Sequence, residues 1–320
     1  MIELPSGVAI NNLIDDIRIF SWQAADILLY YSKLLEDSDG KRNILKNNNE
    51  DDPVTLADLK VNELIIERIN EKYKDTNWDI LSEENVKTSK TFVTKNDWVW
   101  VLDPLDGTKD FIQGTGNYAM HLALNFKQKP FIGFVLIPNK NQLWITDGKK
   151  TWCEKRNGTK YKPNLLNKNN LQEMTLVTSK NHGNETLRNL IQKINFRKVE
   201  IMGSIGCKIA SIVRGDSDIY ICLSLPGKSS PKDWDFAAPE SILKTAGGAI
   251  TNLDNKELIY GQSNLEQGGI IVATSNRNTH QNICLKAALH EKARSFASYI
   301  FDCQTIICSQ PNDNNQHSRV

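Results

Sequence analysis

The sequence predicts a mixed α/β protein built in two parts, and three observations carry that prediction. The first stretch reads as two amphipathic helices followed by a meander of short apolar strands, while after Met174 strand and helix alternate. The third is size: 320 residues exceed the roughly 250 at which single cores stop growing. A cleft between two lobes follows. At 40% hydrophobic, 24% charged and 8% aromatic, the composition is that of a globular protein and lies far from disorder.

Each element has its own signal. From Asn11 to Leu35 the residues Ile14, Ile17, Ala24, Ile27, Leu28, Tyr31 and Leu35 recur at three- and four-residue intervals, the stripe of an amphipathic helix. An Asn-rich loop carrying Lys41, Arg42 and Lys46 follows and closes on Pro53. Thr55, with Asp58 three residues on, then caps a second helix bearing Val61, Leu64, Ile65 and Ile69. Ile80-Leu81 reads as a short strand ending in acids. Trp98 to Leu102 reads as a strand buried on both faces, with Asp103 at its carboxyl end. Tyr118 to Phe126 alternates, Phe131 to Ile137 is apolar and Leu143 to Thr146 is short, with turns expected at Lys129-Pro130 and Asp147-Gly148.

The polar stretch from Lys155 to Gln172 separates the halves. Beyond it come a strand at Met174 to Thr178, a helix after His182, and a helix entered through Gly203-Ser-Ile-Gly206. A strand at Asp218 to Cys222 and a helix from Trp234 to Ala246, stopped by Gly247-Gly248, follow in turn. Apolar strands at Ala249 to Leu253 and Gly269 to Thr274 precede a last helix from Asn276 to Lys292. The expected lobes are residues 1–150 and 151–302, with 303–320 a disordered polar tail.

Composition also excludes partners. With 39 basic against 38 acidic side chains, a net charge of +1, no sequence-independent grip on nucleic acid or an anionic membrane is implied, since such binding needs a concentrated basic surface. The first ten residues lack a secretory signal's basic start and apolar middle, and no apolar run approaches the roughly 20 residues of a membrane span, so a cytoplasmic protein is expected. The six cysteines, Cys153, Cys207, Cys222, Cys284, Cys303 and Cys308, show no metal-binding spacing and read as free thiols.

The chemistry lies in the acids. Asp103 and Asp106, separated by Pro104-Leu105 at the end of a buried strand, point into one small space, and like charges crowded there call for a hard cation. Two such ions about 4 Å apart form the clamp that phosphoester hydrolysis uses. Gly107 permits close backbone approach to a ligand, and Lys109 to Ile112 read as the opening of a helix whose free N–H groups can accept a phosphate. Taken alone, Asp-Pro and Asp-Gly are equally common turn chemistry, and Glu83, Asp58 and Asp235 each read as capping or solvated acids.

Their joint order resembles the inositol monophosphatase superfamily of metal-dependent, lithium-sensitive phosphatases. Its signature runs as an acid pair after a strand, a strand into D-P-[IL]-D-G-T, then W-D-x-A-A before Ala-Gly-Gly. Here these are Leu81-Ser-Glu83-Glu84, Val99 to Thr108, and Trp234-Asp235-Phe-Ala-Ala238 through Ala246-Gly-Gly248. Within the superfamily, Asp106-Gly-Thr108-Lys-Asp-Phe111 is similar to the D-G-T-K-[ED]-[FY] form of 3'(2'),5'-bisphosphate nucleotidases, and Pro239 stands where monophosphatases commonly carry Gly. Asp110 in place of Glu and Asn181 in place of Ser depart from that form.

The resemblance implies a layered αβαβα sandwich with the site between lobes. It implies a first Mg²⁺ on Glu83, Asp103 and the Leu105 carbonyl, and a second on Asp103, Asp106 and Asp235. The Gly107 and Thr108 amides would hold the scissile phosphate, and the Thr108 hydroxyl, paired with Asp58, would orient the attacking water. Asp58 serves either that pairing or a third, weaker ion. Thr178, His182, Ser204 and Lys208 would form the nucleoside end, where Lys208 is either a contact to a second phosphate or a solvated lysine. The implied reaction removes the 3'-phosphate of adenosine 3',5'-bisphosphate, by a monomer or homodimer. The rivals are a phosphatase of inositol phosphates or of fructose or sedoheptulose bisphosphate, and an inactive protein that binds a phosphorylated ligand.

Overall fold

A computed structural model describes residues 2–36, 55–89, 94–179, 185–224 and 230–288. The basic loop around Lys41, His182, Cys303, Cys308 and the expected tail lie outside those residues. Helices α1 (Ile10–Leu34) and α2 (Leu56–Lys72) form where the apolar spacing predicts them. The reciprocal cap of α2 is complete: the Thr55 hydroxyl accepts from the amides of Ala57 and Asp58, and Asp58 accepts from the Thr55 amide.

Seven strands then build one sheet in chain order: β1 (Asp79–Ser82), β2 (Trp98–Asp106), β3 (Ala119–Phe126), β4 (Lys129–Ile137), β5 (Gln142–Thr146), β6 (Thr151–Glu154) and β7 (Lys160–Tyr161). Only β1 and β2 pair in parallel, joined through the short helix α3 (Glu83–Ser89); the other neighbours are antiparallel. Helix α4 (Thr108–Ile112) links β2 to β3.

The second sheet has the order β11-β12-β10-β8-β9, from β8 (Thr175–Thr178), β9 (Lys198–Ile201), β10 (Ile219–Ser224), β11 (Ala249–Asn252) and β12 (Gly269–Thr274). Helices α5 (Glu185–Ile194), α6 (Ile205–Arg214), α7 (Asp233–Ala246) and α8 (277–288) intervene or follow.

Alternation along the strands assigns each face to a layer. Trp98, Trp100 and Leu102 pack with α1 and α2, whereas Val99 and Val101, pointing the opposite way, pack with α6 and α7. Tyr220 and Cys222 turn toward that same helical layer, and Ile219 and Ile221 face α5 and α8. Three apolar clusters therefore fill the four interfaces of five layers, helix, sheet, helix, sheet, helix, the central cluster spanning both faces of the middle helices, which is the expected αβαβα order. Burying each large aliphatic side chain in such a space contributes roughly 1.5–3 kcal/mol.

Several local expectations are corrected. Strand β2 continues through Asp103 to Asp106, because its pairing with β3 survives Pro104 by an irregularity in register. Strand β3 is buried almost throughout rather than on alternate residues, since helices cover both faces of its sheet. The turn before β4 falls on Lys127 and Gln128, both at positive φ (49° and 61°), so Lys129 and Pro130 belong to the strand. The first sheet also runs on to Tyr161, past the expected boundary at residue 150, because β6 and β7 bond to β5 in sequence. Cys153, Cys207, Cys222 and Cys284 are buried free thiols. Among the described residues no helix is long and apolar enough to cross a membrane.

Candidate active site

The two aspartates of β2 reach one space through a bulge. Asp103 pairs with His121 and Asp106 with Ala119, so β2 advances three residues while β3 advances two. In a regular strand residues three apart point to opposite faces; the extra residue turns Asp106 back to the side of Asp103. Pro104, which has no N–H for the ladder, occupies that irregular step. Asp235, in the first turn of α7, completes the cluster: ligand oxygens of Asp103, Asp106 and Asp235 all lie within 4.8 Å of one another.

Glu83 joins from the parallel neighbour. Ser82 is in register with Leu102, which sets Glu83 level with Asp103, and the two carboxyls are hydrogen-bonded. Burial, then the charges of Glu83, Asp106 and Asp235, push Asp103 well above the usual carboxylate range. Asp235 is raised as well, by burial first and then by Asp106 and Glu83. Burial also acts upward on Asp106, but the facing His121, Lys208 and Ser204 outweigh it and hold this carboxyl low. An all-carboxylate set this crowded and this short of water suits a hard divalent cation, whose charge would relieve the mutual repulsion. The donors therefore fit Mg²⁺.

Each acid is held in place by donors of the protein. Asp106 Oδ2 accepts from Ser204 Oγ at 2.6 Å and from the Gly206 amide at 3.1 Å. His121 Nε2 is also 3.1 Å from that oxygen, in ion-pair range but off the line of a hydrogen bond. Asp235 Oδ2 accepts from the Lys232 amide at 2.6 Å, and Asp103 Oδ1 from the Leu105 amide at 3.0 Å. Gly107 follows at φ 85°, where a Cβ would lie 2.9 Å from the Asn117 carbonyl and 3.1 Å from Ser204, so backbone and space both require glycine.

Two expected pairings differ. The Thr108 hydroxyl donates to the Leu105 carbonyl at 3.0 Å, and the hydroxyl on Asp58 belongs to Thr55, 2.5 Å away. The cap of α2 claims Asp58 because Thr55 is three residues away on the same turn. Burial foremost, against the Thr55 bond and with the charge of Glu83, raises Asp58 to about 8. Nor is Lys208 a solvated lysine. It is fully buried, donates to the Gly203 carbonyl at 2.8 Å and lies 5.2 Å over the Tyr220 ring, so its charge reaches Asp106 and Asp235 from within. Thr178 is buried with its hydroxyl on the Ile221 carbonyl at 2.9 Å, and Ser204 caps α6 while holding Asp106.

Sequence reasoning missed His121, whose signal was one imidazole inside the apolar run Ala119 to Leu124. It also missed Lys87, one turn after Glu83 and 2.9 Å from Glu83 Oε1. A cavity of about 520 Å³ between the start of α1 and the end of α2 shares no residue with the acids.

The model of the inositol monophosphatase family matches residues 17–292. The 3'(2'),5'-bisphosphate nucleotidase CysQ of Buchnera aphidicola subsp. Acyrthosiphon pisum is 30% identical over 213 residues, covering 66% of this chain and 75% of that protein. CysQ of Escherichia coli K12 is 26% identical over 213 residues, 66% of this chain and 80% of that protein. Among solved structures, the extragenic suppressor protein suhB of Bartonella henselae superposes with a TM-score of 0.66 at 18% identity, over 88% of this chain and 98% of that one. Inositol monophosphatase-II of Staphylococcus aureus MSSA476 does so at 0.64 and 24% identity, over 89% and 97%. These two likenesses concern the fold.

Proposed function

Because this chain belongs to the inositol monophosphatase family of phosphatases, we propose that it is a Mg²⁺-dependent nucleotidase removing the 3'-phosphate of adenosine 3',5'-bisphosphate to leave AMP and phosphate. The observation that carries the reading is the cluster of Asp103, Asp106 and Asp235 within 4.8 Å, at the end of a D-P-L-D-G-T strand. The nucleotide is favoured over other phosphate esters by the Asp106 to Phe111 motif and by the CysQ relatives at 26% to 30% identity.

In this reading Glu83, Asp103 and the Leu105 carbonyl would hold one Mg²⁺, and Asp103, Asp106 and Asp235 would hold a second. Bound there, the ions supply the positive charge that offsets the attacking and leaving oxygens. The protein groups do the rest. The Gly107 and Thr108 amides hold the scissile phosphate. Thr108, whose hydroxyl proton is committed to the Leu105 carbonyl, keeps its lone pairs free to accept from the attacking water and so aims the water oxygen at phosphorus. Asp58, whose carboxyl accepts from the Thr55 amide and hydroxyl, is assigned to the same edge, as a relay to Thr108 or as a holder of a third, weaker ion. As the water adds it gives up a proton to solvent, the bond from phosphorus to the 3'-oxygen breaks, and that oxygen takes up a proton to become the hydroxyl of AMP. Thr178, His182 and Ser204 are assigned to the nucleoside end, with Lys208 acting through its charge.

A phosphate-release screen in Mg²⁺ over adenosine 3',5'-bisphosphate, inositol monophosphate and fructose 1,6-bisphosphate tests this. The bisphosphate nucleotide should give the highest kcat/KM. A sugar or inositol phosphate in first place would replace the substrate and keep the phosphatase. Ligand binding with no phosphate released from any of them would leave a binding protein.

A further inference from the structure

We propose that Lys87 is a built-in counter-cation that tunes how tightly the acid cluster binds its metal ions, a role that rests on Glu83 being a ligand. Helix α3 begins at Glu83, so Lys87 stands one turn on and on the same face, with the glutamate N-terminal to the lysine, the more favourable order. Its Nζ lies 2.9 Å from Glu83 Oε1 and 3.4 Å from Glu84 Oε1, and the two glutamates expose only 18% and 6% of their side chains. Glu83 is in turn hydrogen-bonded to Asp103 and acts by its charge on Asp58 and Asp235. The ammonium therefore touches one end of a connected run of carboxylates.

His121 and Lys208 bring positive or polar hydrogen to the other end, at Asp106, but both are fully buried in the packed middle of the fold. Lys87 differs in being 27% exposed on a seven-residue helix, so its ammonium can move toward water without disturbing the core.

Electrostatics gives this lysine opposite effects on two states. In the metal-free protein it offsets repulsion among the acids and stabilises the fold. In the metal-bound protein it is a like charge beside the ion and weakens binding. Replacing it by a neutral residue should thus lower the melting temperature without metal and tighten the metal affinity. The work of placing an ion in a changed potential scales with the ion's charge, so log Kd should shift about twice as far for Mg²⁺ as for Li⁺. Loss of packing has no such dependence on valence.

The experiment compares wild type, Lys87→Gln and Lys87→Arg, with Mg²⁺ binding measured by calorimetry, Li⁺ binding by lithium NMR titration, and melting followed in chelator. For Lys87→Gln, Mg²⁺ binding should tighten about three- to tenfold at low ionic strength, Li⁺ binding by about the square root of that factor, and the metal-free melting temperature should fall. Lys87→Arg, which keeps the charge, should behave as wild type. Unchanged or weaker Mg²⁺ binding in Lys87→Gln, equal shifts for the two ions, or an unaltered metal-free melt would each overturn the proposal. Asp106→Asn separates this from the reading beneath it. If that variant binds Mg²⁺ as wild type does, the metal centre is misassigned; if it is impaired while Lys87→Gln is not, only the role of Lys87 falls.

Discussion

Asp106 gathers more of the site than any other residue, because one of its oxygens meets Ser204, the Gly206 amide and His121 at once. Asparagine keeps that shape and removes the charge, so Asp106→Asn should lose at least tenfold in turnover and most of its Mg²⁺ affinity while still folding. A purified variant keeping more than about a tenth of wild-type kcat, less than roughly 1.4 kcal/mol of barrier, would show that two-ion chemistry does not run through it. The clustered acids were legible in the sequence because their motifs are local. Their supports were not: His121 meets Asp106 only through strand pairing, and Ser204 arrives from nearly a hundred residues away. A second residue-scale prediction concerns His280, buried between the hydroxyls of Thr251 and Thr274, each 2.8 Å from a ring nitrogen. Burial, then the charge of Lys244, lowers it from 6.5 to about 4. The unfolded chain then takes up the proton first, so stability is lost as pH falls from about 6.5 toward 4, by about 3 kcal/mol for this group. His280→Gln has no such proton to bind. Its melting temperature relative to wild type should rise between pH 7 and pH 4.5, and a constant gap would remove His280 from the acid response.

At the scale of elements, helix positions were legible where apolar spacing and caps agree, as in α1, α2 and α7, because those signals lie within one segment. The burial of β3 was not, because it depends on a helical layer supplied by the second half of the chain, and the path of β2 through Pro104 was not, because it depends on pairing with β3. Gly133 on β4 marks a close approach of that layer. A Cβ there would collide with the Ser241 side chain and stand 3.0 Å from the Ala238 carbonyl, both on α7. Gly133→Ala should therefore push the helix off the sheet and cost about 1–3 kcal/mol. Gly268→Ala, with nothing within 4 Å of the added carbon, is the control and should be near neutral. Equal denaturation midpoints for the two variants would mean that α7 yields without cost.

For the whole molecule, the middle helical layer decides how the halves relate. The sequence suggested two lobes because size and the polar stretch after Lys155 point that way, yet no local signal says that α6 and α7 cover the first sheet as well as the second. One apolar cluster joins Val99, Val101, Val135 and Trp144 of the first sheet to Ile209, Phe236 and Ile242 of the helices, and these to Tyr220 and Ile271 of the second sheet. A chain cut near Lys162, after the last strand of the first sheet, would leave an apolar face of that sheet without its cover. Neither half should then fold alone: each fragment should lack sharp thermal unfolding and near-ultraviolet dichroism, and mixing should restore both. The intact chain should accordingly melt in one transition, with calorimetric and van't Hoff enthalpies equal. Two separable transitions, or a first-half fragment with a cooperative melt of its own, would establish independent lobes and reduce the shared layer to a docking surface between them.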